Sequence, residues 1–323
     1  MVVNYENRIE YEKNKLCKEI DINKNMYHFD EMIHILSKFG KQIKKHPFFK
    51  RPENETFEDL AEYINSITLD TNIILTSDFN SFEVNKKNVV KHLRNAHNRY
   101  QMLLNGKKGE EQVLDVLSPM LDKIAIYNNI RLKVNDNLDT ENDLIVVSKK
   151  GIALVEVKFL KRNAHITSSG ILTTNSNLYI QDIGQQINRH IQSVRRSIMV
   201  PFHEATNIDL SLESYIVSAN KQKKIHSSFE YISAISVNAL PFELFKDKED
   251  ILSDEAYKLL NVIIEEQFIV PKKYPLDISI GQISQSIAEL IVQKNEIETK
   301  KHTKMTKFRY TIQNVLEIIT EDK

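Results

Sequence analysis

Two apolar runs on either side of a Ser-Lys-Lys-Gly turn dominate the middle of the sequence, between Asp143 and Lys158. Both runs are rich in β-branched residues, and the turn between them predicts a β-hairpin. Three charges interrupt this apolar segment: Asp143 at its entry, and Glu156 and Lys158 near its exit. A charge on a buried strand is costly unless it is paired, hydrogen-bonded or bound to a metal. The hairpin therefore predicts a site in which two carboxylates and an ammonium meet.

The register of the hairpin decides whether these charges converge. With Ser148 opposite Gly151, Asp143 pairs directly with Glu156, and cross-strand Cβ atoms lie about 5 Å apart. Glu156 and Lys158 share one face of their strand, about 6.5–7 Å from each other. A bulge at Gly151 would instead shift the register by one residue, and Asp143 would then have to lie at a bend to reach the site.

Composition narrows the class of protein. The chain has 323 residues, 44 basic and 44 acidic, so its overall charge gives no sign of a nucleic-acid partner, and any phosphate-binding surface must be local. The single cysteine, Cys17, cannot form an intrachain disulfide, which predicts a reducing, cytoplasmic setting. No signal peptide is evident and no apolar run reaches about 18 residues, so we expect no membrane association.

Hydrophobic periodicity divides the chain into three predicted regions: a helical N-terminal region over 1–104, a mixed α/β core over 105–240, and a helical C-terminal region over 241–323. The periodicity predicts helices at 56–67, 85–104, 179–200, 254–267, 281–295 and 307–319. It predicts strands at 124–132, in the hairpin, at 214–219 and at 231–237, with a polar loop at 135–142.

Two helical positions add polar side chains to the predicted site. After a Gly-Lys-Lys-Gly stretch that should interrupt the preceding helix, Glu110 precedes Val113, Leu114 and Leu117 at helical spacing, so it faces inward. Farther along, Gln186 and His190 lie one turn apart on one flank of an apolar stripe.

The chemistry of this set favours a hard cation. Carboxylates around one point suit Mg²⁺ or Mn²⁺, and a neighbouring lysine can orient an attacking water. No Cys/His cluster has zinc spacing, and no Walker A, GxGxxG or GxSxG sequence occurs. The sequence therefore lacks the residues that define a zinc site, a phosphate-binding loop, a Rossmann site or a serine-hydrolase site.

The motifs resemble those of the PD-(D/E)xK, or restriction-endonuclease-like, nucleases, and more narrowly those of the nuclease-related domain (NERD) family. The resemblance covers about residues 105–200. It rests on Gly106-Lys-Lys-Gly109-Glu110, Thr140-Glu-Asn-Asp143, Glu156-Val-Lys158 and Gln186-x-x-x-His190.

The resemblance implies a mixed-sheet core flanked by helices, dependence on Mg²⁺ or Mn²⁺, and hydrolysis of phosphodiester bonds. It implies that Glu110, Asp143 and Glu156 hold the metal, that Lys158 orients water, and that Gln186 lies near the metal or the scissile phosphate. Two positions depart from the family pattern. Asn142 replaces an apolar residue, and Asp182-Ile183 stands where the family usually has Asn-Pro.

The leading hypothesis is thus a metal-dependent endonuclease acting on DNA, in phage defence or DNA processing, with helical flanks that could mediate a homodimer or recruit a partner protein. Two alternatives remain open. One is an RNase or exonuclease on the same fold, and the other is a catalytically silent module that binds nucleic acid or protein.

Overall fold

The computed structural model describes residues 5–17, 27–49, 56–69, 76–174, 178–246, 249–268, 273–276 and 278–321. The helices are α1 (Tyr5–Cys17), α2 (Phe29–Lys45), α3 (Phe57–Ser66), α4 (Thr76–Leu117), α5 (Ile183–Val194), α6 (Val200–Thr206), α7 (Leu240–Phe245), α8 (Asp254–Glu266) and α9 (Ile280–Glu321). The strands are β1 (Ile124–Asn135), β2 (Leu138–Ser148), β3 (Gly151–Lys158), β4 (Ala164–Ile166), β5 (Ile171–Thr174), β6 (Tyr179–Asp182), β7 (Leu212–Ser218), β8 (Ile225–Ser227) and β9 (Ser233–Ser236).

The chain forms two compact units, one of Met1–Leu103 with Lys273–Lys323 and one of Leu104–Lys272. The first unit is helical, and its core gathers apolar side chains of α1 to α4 and α9 around the fully buried Phe39. α3 begins at the capping box formed by Thr56 and Asp59, as the sequence predicts. None of the helices that the structure describes combines the length and the apolar character that crossing a bilayer requires.

The second unit contains two mixed sheets, which confirms the predicted mixed α/β core flanked by helices. One sheet has the order β1-β2-β3-β7-β9, antiparallel from β1 to β3 and parallel from β3 to β9. The other has the order β6-β5-β4-β8, with β8 parallel to β4.

Apolar side chains cover both faces of the first sheet. On one face, Ile152 and Leu154 pack with residues of α5, α6 and α8. On the other, Ala153 and Val155 pack with Val113 of α4 and with residues of α7. This strict alternation along β3 is the reason that Glu156 and Lys158 lie on the α5 side of the sheet.

The expected interruption at Gly106–Gly109 is wrong, because α4 continues through it to Leu117. A glycine in a helix costs only about 1 kcal/mol relative to alanine, so tertiary packing can override it. Gly109 has a packing role: a Cβ there would lie 3.2 Å from Val157 Cγ1. The glycine lets the helix approach β3 closely.

The polar segment 135–142 forms strand where a loop was expected. β1 ends at Asn135 and β2 begins at Leu138, so the connection is a short turn. The charges on these strands are satisfied across the ladder, since Arg131 pairs with both Asp139 and Glu141. Cross-strand ion pairs let a polar sequence remain in a sheet.

Two helix boundaries also differ from expectation. Tyr179–Asp182 forms β6, and α5 begins only at Ile183, because the Asp182 carboxylate caps the helix by accepting from the backbone N–H of Gln185. Near the C-terminus, the two predicted helices are one, α9. Residues 296–306 are mostly polar but contain neither Gly nor Pro, so nothing in them stops a helix.

Candidate active site

The hairpin has the direct register. Ser148 lies opposite Gly151, and the ladder runs to the pair Leu144–Val155. Beyond that pair the regular ladder ends. The Asp143 carboxylate itself accepts a hydrogen bond of 2.8 Å from the backbone N–H of Val157. This bond holds the acid beside the end of β3.

At the position opposite Asp143, strand β1 changes which of its alternate side chains face each side of the sheet. Ile124 belongs to the core on the α4 side, whereas Ile130 and Leu132 belong to the core on the α5 side, although regular alternation would place all three on one face. Asn129 lies between them with φ of 52°, in the left-handed region that asparagine tolerates better than most residues. Because Asn128 pairs with Leu144 and Ile130 with Asn142, Asn129 is the residue opposite Asp143.

Glu156 is the centre of the cluster. Its side chain is 1% exposed, and its Oε1 lies 2.6 Å from the Lys158 ammonium. The same oxygen accepts a hydrogen bond of 2.8 Å from Nε2 of Gln186. Its other oxygen, Oε2, is buried without a hydrogen-bond partner, with His190 Nδ1 3.6 Å away. One oxygen is therefore saturated, and the other is open to a further donor or cation.

The helix α5 brings Gln186 and His190 to this carboxylate from one flank. The Gln186 amide is oriented by a second glutamine, since Gln181 of β6 donates from Nε2 to Gln186 Oε1 over 2.6 Å. That bond occupies the Gln186 oxygen and turns its NH₂ group toward Glu156. A chain of three side chains thus connects the second sheet to the centre of the cluster.

Glu110 is connected to the site by a hydrogen bond from Asn129, the residue opposite Asp143. It is half-buried, whereas its neighbour Glu111 is exposed, as the helical phase predicts. The Asn129 amide donates to Glu110 Oε2 over 2.9 Å. The Glu110 charge also contributes to raising the pKa of Asp143, so the two carboxylates interact electrostatically.

The pKa shifts at the site arise from burial and from closely spaced charges. Burial raises the pKa of Asp143 well above its ordinary value, and the Glu156 charge raises it further, against the opposing influence of Lys158. Burial alone would lower the pKa of Lys158, but the carboxylates of Glu156 and Asp143 outweigh it and leave that pKa raised. Lys158 is therefore held as an ammonium. The raised pKa of Asp143 means that a second negative charge beside Glu156 is unfavourable, and a further cation would favour the ionised form of Asp143.

His190 lies close to the Glu156 carboxylate, but the pKa of its imidazole is lowered. Burial lowers the pKa of His190, against the opposing influence of Glu156, and the imidazole also hydrogen-bonds to the backbone of Glu141. At neutral pH the ring is thus a neutral group, with its Nδ1 3.6 Å from Glu156 Oε2.

The donors available to a metal are the carboxylates of Asp143 and Glu156. Within the described ranges, no group of three or more His, Cys, Asp or Glu side chains is arranged to hold an ion. The predicted third ligand, Glu110, is hydrogen-bonded to Asn129. A buried carboxylate with an unpartnered oxygen and a half-buried carboxylate beside it nevertheless fit Mg²⁺, which proteins commonly bind through one or two carboxylates plus substrate phosphate.

One comparison with known proteins gave a match. Residues 105–219 match the model of NERD, the nuclease-related domain. This confirms the suspected family resemblance for the matched segment, which contains Glu110, Asp143, Glu156, Lys158 and Gln186 and suggests a nuclease-related function. Comparisons with curated proteins and with solved structures gave no match.

Two residues of the cluster escaped sequence reasoning. Asn129 belongs to an Asn-Asn pair within β1, and asparagine favours a left-handed conformation, so the pair was an available signal. Gln181 gave no such signal, because the segment around it has the periodicity of the helix that follows. The two departures from the family pattern also have local partners. Asn142 is buried and donates to the carbonyl of Ile130 over 3.4 Å, and Asp182 caps α5.

Proposed function

We propose that the protein is a metal-dependent nuclease that hydrolyses phosphodiester bonds in DNA and cuts within the strand. The observation that carries the proposal is the state of Glu156. It is a fully buried carboxylate with an ammonium and an amide on one oxygen and no hydrogen-bond partner on the other. Leaving a buried carboxylate oxygen unpaired is costly, and a bound cation would remove that cost. The match to a nuclease-related domain supports the same reading.

Mg²⁺ or Mn²⁺ would be held by Asp143 and Glu156, with Glu110 contributing directly or through water. When bound, the ion would polarise the phosphoryl oxygen and stabilise the charge that develops on it. Lys158 would orient the attacking water, since its ammonium already lies against the Glu156 carboxylate. Gln186 would hold Glu156 in position or contact the scissile phosphate, with its amide orientation set by Gln181.

The decisive experiment incubates the pure protein with supercoiled plasmid and with end-labelled linear DNA, in Mg²⁺ or Mn²⁺. We expect nicking and linearisation of the plasmid, and at least about a 100-fold loss of rate in Glu156→Gln and in the Glu156→Ala, Lys158→Ala double variant. Glu111→Gln is the matched control. It removes an exposed carboxylate next to Glu110 and should leave the rate unchanged. Equal cleavage by the double variant and the unmodified protein would contradict the assignment of the site.

The same assay separates the enzymatic alternatives. Shortening of linear DNA with no plasmid nicking would indicate an exonuclease, and cleavage of RNA alone would indicate an RNase. For biological context we propose phage defence or DNA processing, which rests on the family resemblance. Survival of phage-infected cells producing either the unmodified protein or Glu156→Gln tests the defence role.

One observation favours a second candidate, a catalytically silent binding module. Among the described residues no three potential ligands are arranged around a metal, and Lys158 already neutralises Glu156. Calorimetric titration with Mn²⁺ distinguishes the two candidates. Binding of the ion that Glu156→Gln abolishes supports the nuclease, whereas nucleic-acid binding with no metal binding supports the silent module.

A further inference from the structure

Two basic loops follow the carboxyl ends of the parallel strands β3 and β7. The chain leaves β3 at Lys158 and turns through 159–163, and it leaves β7 at Ser218 and turns through 219–224. We call the five cations of these loops the basic edge: Lys161, Arg162, Lys221, Lys223 and Lys224. Because neighbouring parallel strands end at the same edge of a sheet, both loops lie beside the end of the strand that carries Glu156 and Lys158.

Hydrogen bonds hold the two loops together. The Asn220 amide donates to the carbonyl of Leu160 over 2.8 Å, and the backbone N–H of Lys224 donates to Asn163 Oδ1 over 3.0 Å. The backbone N–H of Ala219 donates to the carbonyl of Lys158 itself, also over 3.0 Å. The backbone that carries the cations is thereby fixed relative to the cluster.

The cations of the basic edge are not neutralised. No ion pair joins any of them to a carboxylate in the part of the chain that the structure describes. In contrast, Lys149 and Lys150, at the other end of the hairpin, pair with Asp254 and Asp250. Because the whole chain has a net charge of zero, the basic edge is a local excess of positive charge. Lys108 lies beside it, with its ammonium 5.4 Å from the centre of the Phe159 ring.

We propose that the basic edge binds the phosphate backbone of duplex DNA and guides one strand into the cluster around Glu156. Lys161 is three positions beyond Lys158, so their Cα atoms are at most about 11 Å apart. Since successive phosphates of one strand advance about 3.4 Å along the duplex axis, the edge begins within about three nucleotides of the cluster. Phosphate contacts of this kind position a duplex without reading its sequence.

This proposal rests on the proposed nuclease function and adds a surface to it. Part of that surface lies outside the family match, which ends at residue 219, before Lys221, Lys223 and Lys224. The side chains of the second loop are therefore a feature of this chain that the family match does not cover.

The test measures binding without cleavage, in protein carrying Glu156→Gln. Two double variants remove cations from the edge: Lys161→Gln with Arg162→Gln, and Lys221→Gln with Lys224→Gln. A third, Lys87→Gln with Lys91→Gln, removes two exposed cations of α4 and is the control, because it changes the net charge equally. Each is titrated by fluorescence anisotropy against a short labelled DNA duplex, and against an RNA duplex of the same sequence, over a series of salt concentrations.

We expect each edge variant to weaken binding and to reduce the slope of log K against log salt by about 1.8, because each lost phosphate contact changes that slope by about 0.9. The control should keep the original slope. Equal slopes for all three double variants would overturn the proposal, and so would an effect on RNA duplexes alone. Cleavage of DNA by the protein that keeps Glu156, together with unchanged binding in the edge variants, overturns only the basic edge. Edge-dependent binding with no cleavage by the protein that keeps Glu156 overturns only the nuclease.

Discussion

Glu156 and its immediate partners show how single residues build the candidate site. Lys158 is two residues away on the same strand, so its proximity follows from the period of a β-strand. Gln186 and His190 are 30 and 34 residues farther along the chain, and both reach the same carboxylate from one turn of α5. The Glu156–Lys158 pair was therefore predictable from local spacing, whereas the contact with α5 depended on how the helix packs on the sheet.

Asn129 offers a test at this scale. Asn129→Gly keeps the left-handed backbone, which glycine adopts without strain, but it removes the amide that donates to Glu110. A hydrogen bond to a charged group contributes about 1.5–3 kcal/mol, so its loss at Glu110 should lower the cleavage rate at least about 10-fold. Because glycine relieves the left-handed strain, the melting temperature should fall by less than the lost bond alone implies.

The matched control is Asn207→Gly. Asn207 also has a left-handed conformation, with φ of 58°, but it ends α6. We expect this variant to cleave at the normal rate. Full activity of Asn129→Gly would show that Asn129 has no role in positioning Glu110.

At the scale of elements, α4 and β3 approach each other through Gly109. The Cβ of an alanine there would lie 3.2 Å from Val157 Cγ1 and 3.4 Å from the Cβ of Phe159, which is tighter than ordinary packing. The sequence indicated an inward-facing Glu110 correctly, because helical phase is a local property. It wrongly suggested a break at Gly106–Gly109, because the glycine is needed for packing against a strand about 50 residues farther along the chain, which no local pattern shows.

Gly109→Ala and Gly40→Ala together test this close approach. Gly40 lies inside α2, where an added Cβ would meet the Phe57 ring at an ordinary 3.5 Å. We expect Gly40→Ala to stabilise its unit by up to about 1 kcal/mol through helix propensity. The crowding at Gly109 should cancel that gain and make Gly109→Ala less favourable by at least about 1 kcal/mol, measured by urea unfolding. Equal gains at the two positions would show that the helix and the strand are not tightly apposed.

At the scale of the whole molecule, the chain forms two units with separate cores. The nuclease-related segment, residues 105–219, lies entirely in the unit Leu104–Lys272. The helical unit combines the start of the chain with its end, a pairing that hydrophobic periodicity does not encode. Sequence reasoning recognised both helical regions but treated them as separate.

Calorimetry can test the independence of the cores. Phe39→Ala and Phe202→Ala each empty a fully buried site, one in each unit, and each should cost about 3–5 kcal/mol. We expect two unfolding transitions, with Phe39→Ala lowering only one and Phe202→Ala only the other. A single transition that both variants lower equally would mean that the units unfold together.

The sequence left two registers of the hairpin open, and the structure has the direct one. The sequence by itself determined the features that depend on local order: the hairpin, the charges of Asp143, Glu156 and Lys158 at its end, and the inward phase of Glu110. These follow from the periods of strands and helices and from turn chemistry. Only the tertiary structure decided that Gln181 orients Gln186, that Asn129 holds Glu110, and that two loops 60 residues apart form one basic edge. Such contacts join segments whose pairing is set by long-range packing of sheets and helices, which no local pattern specifies.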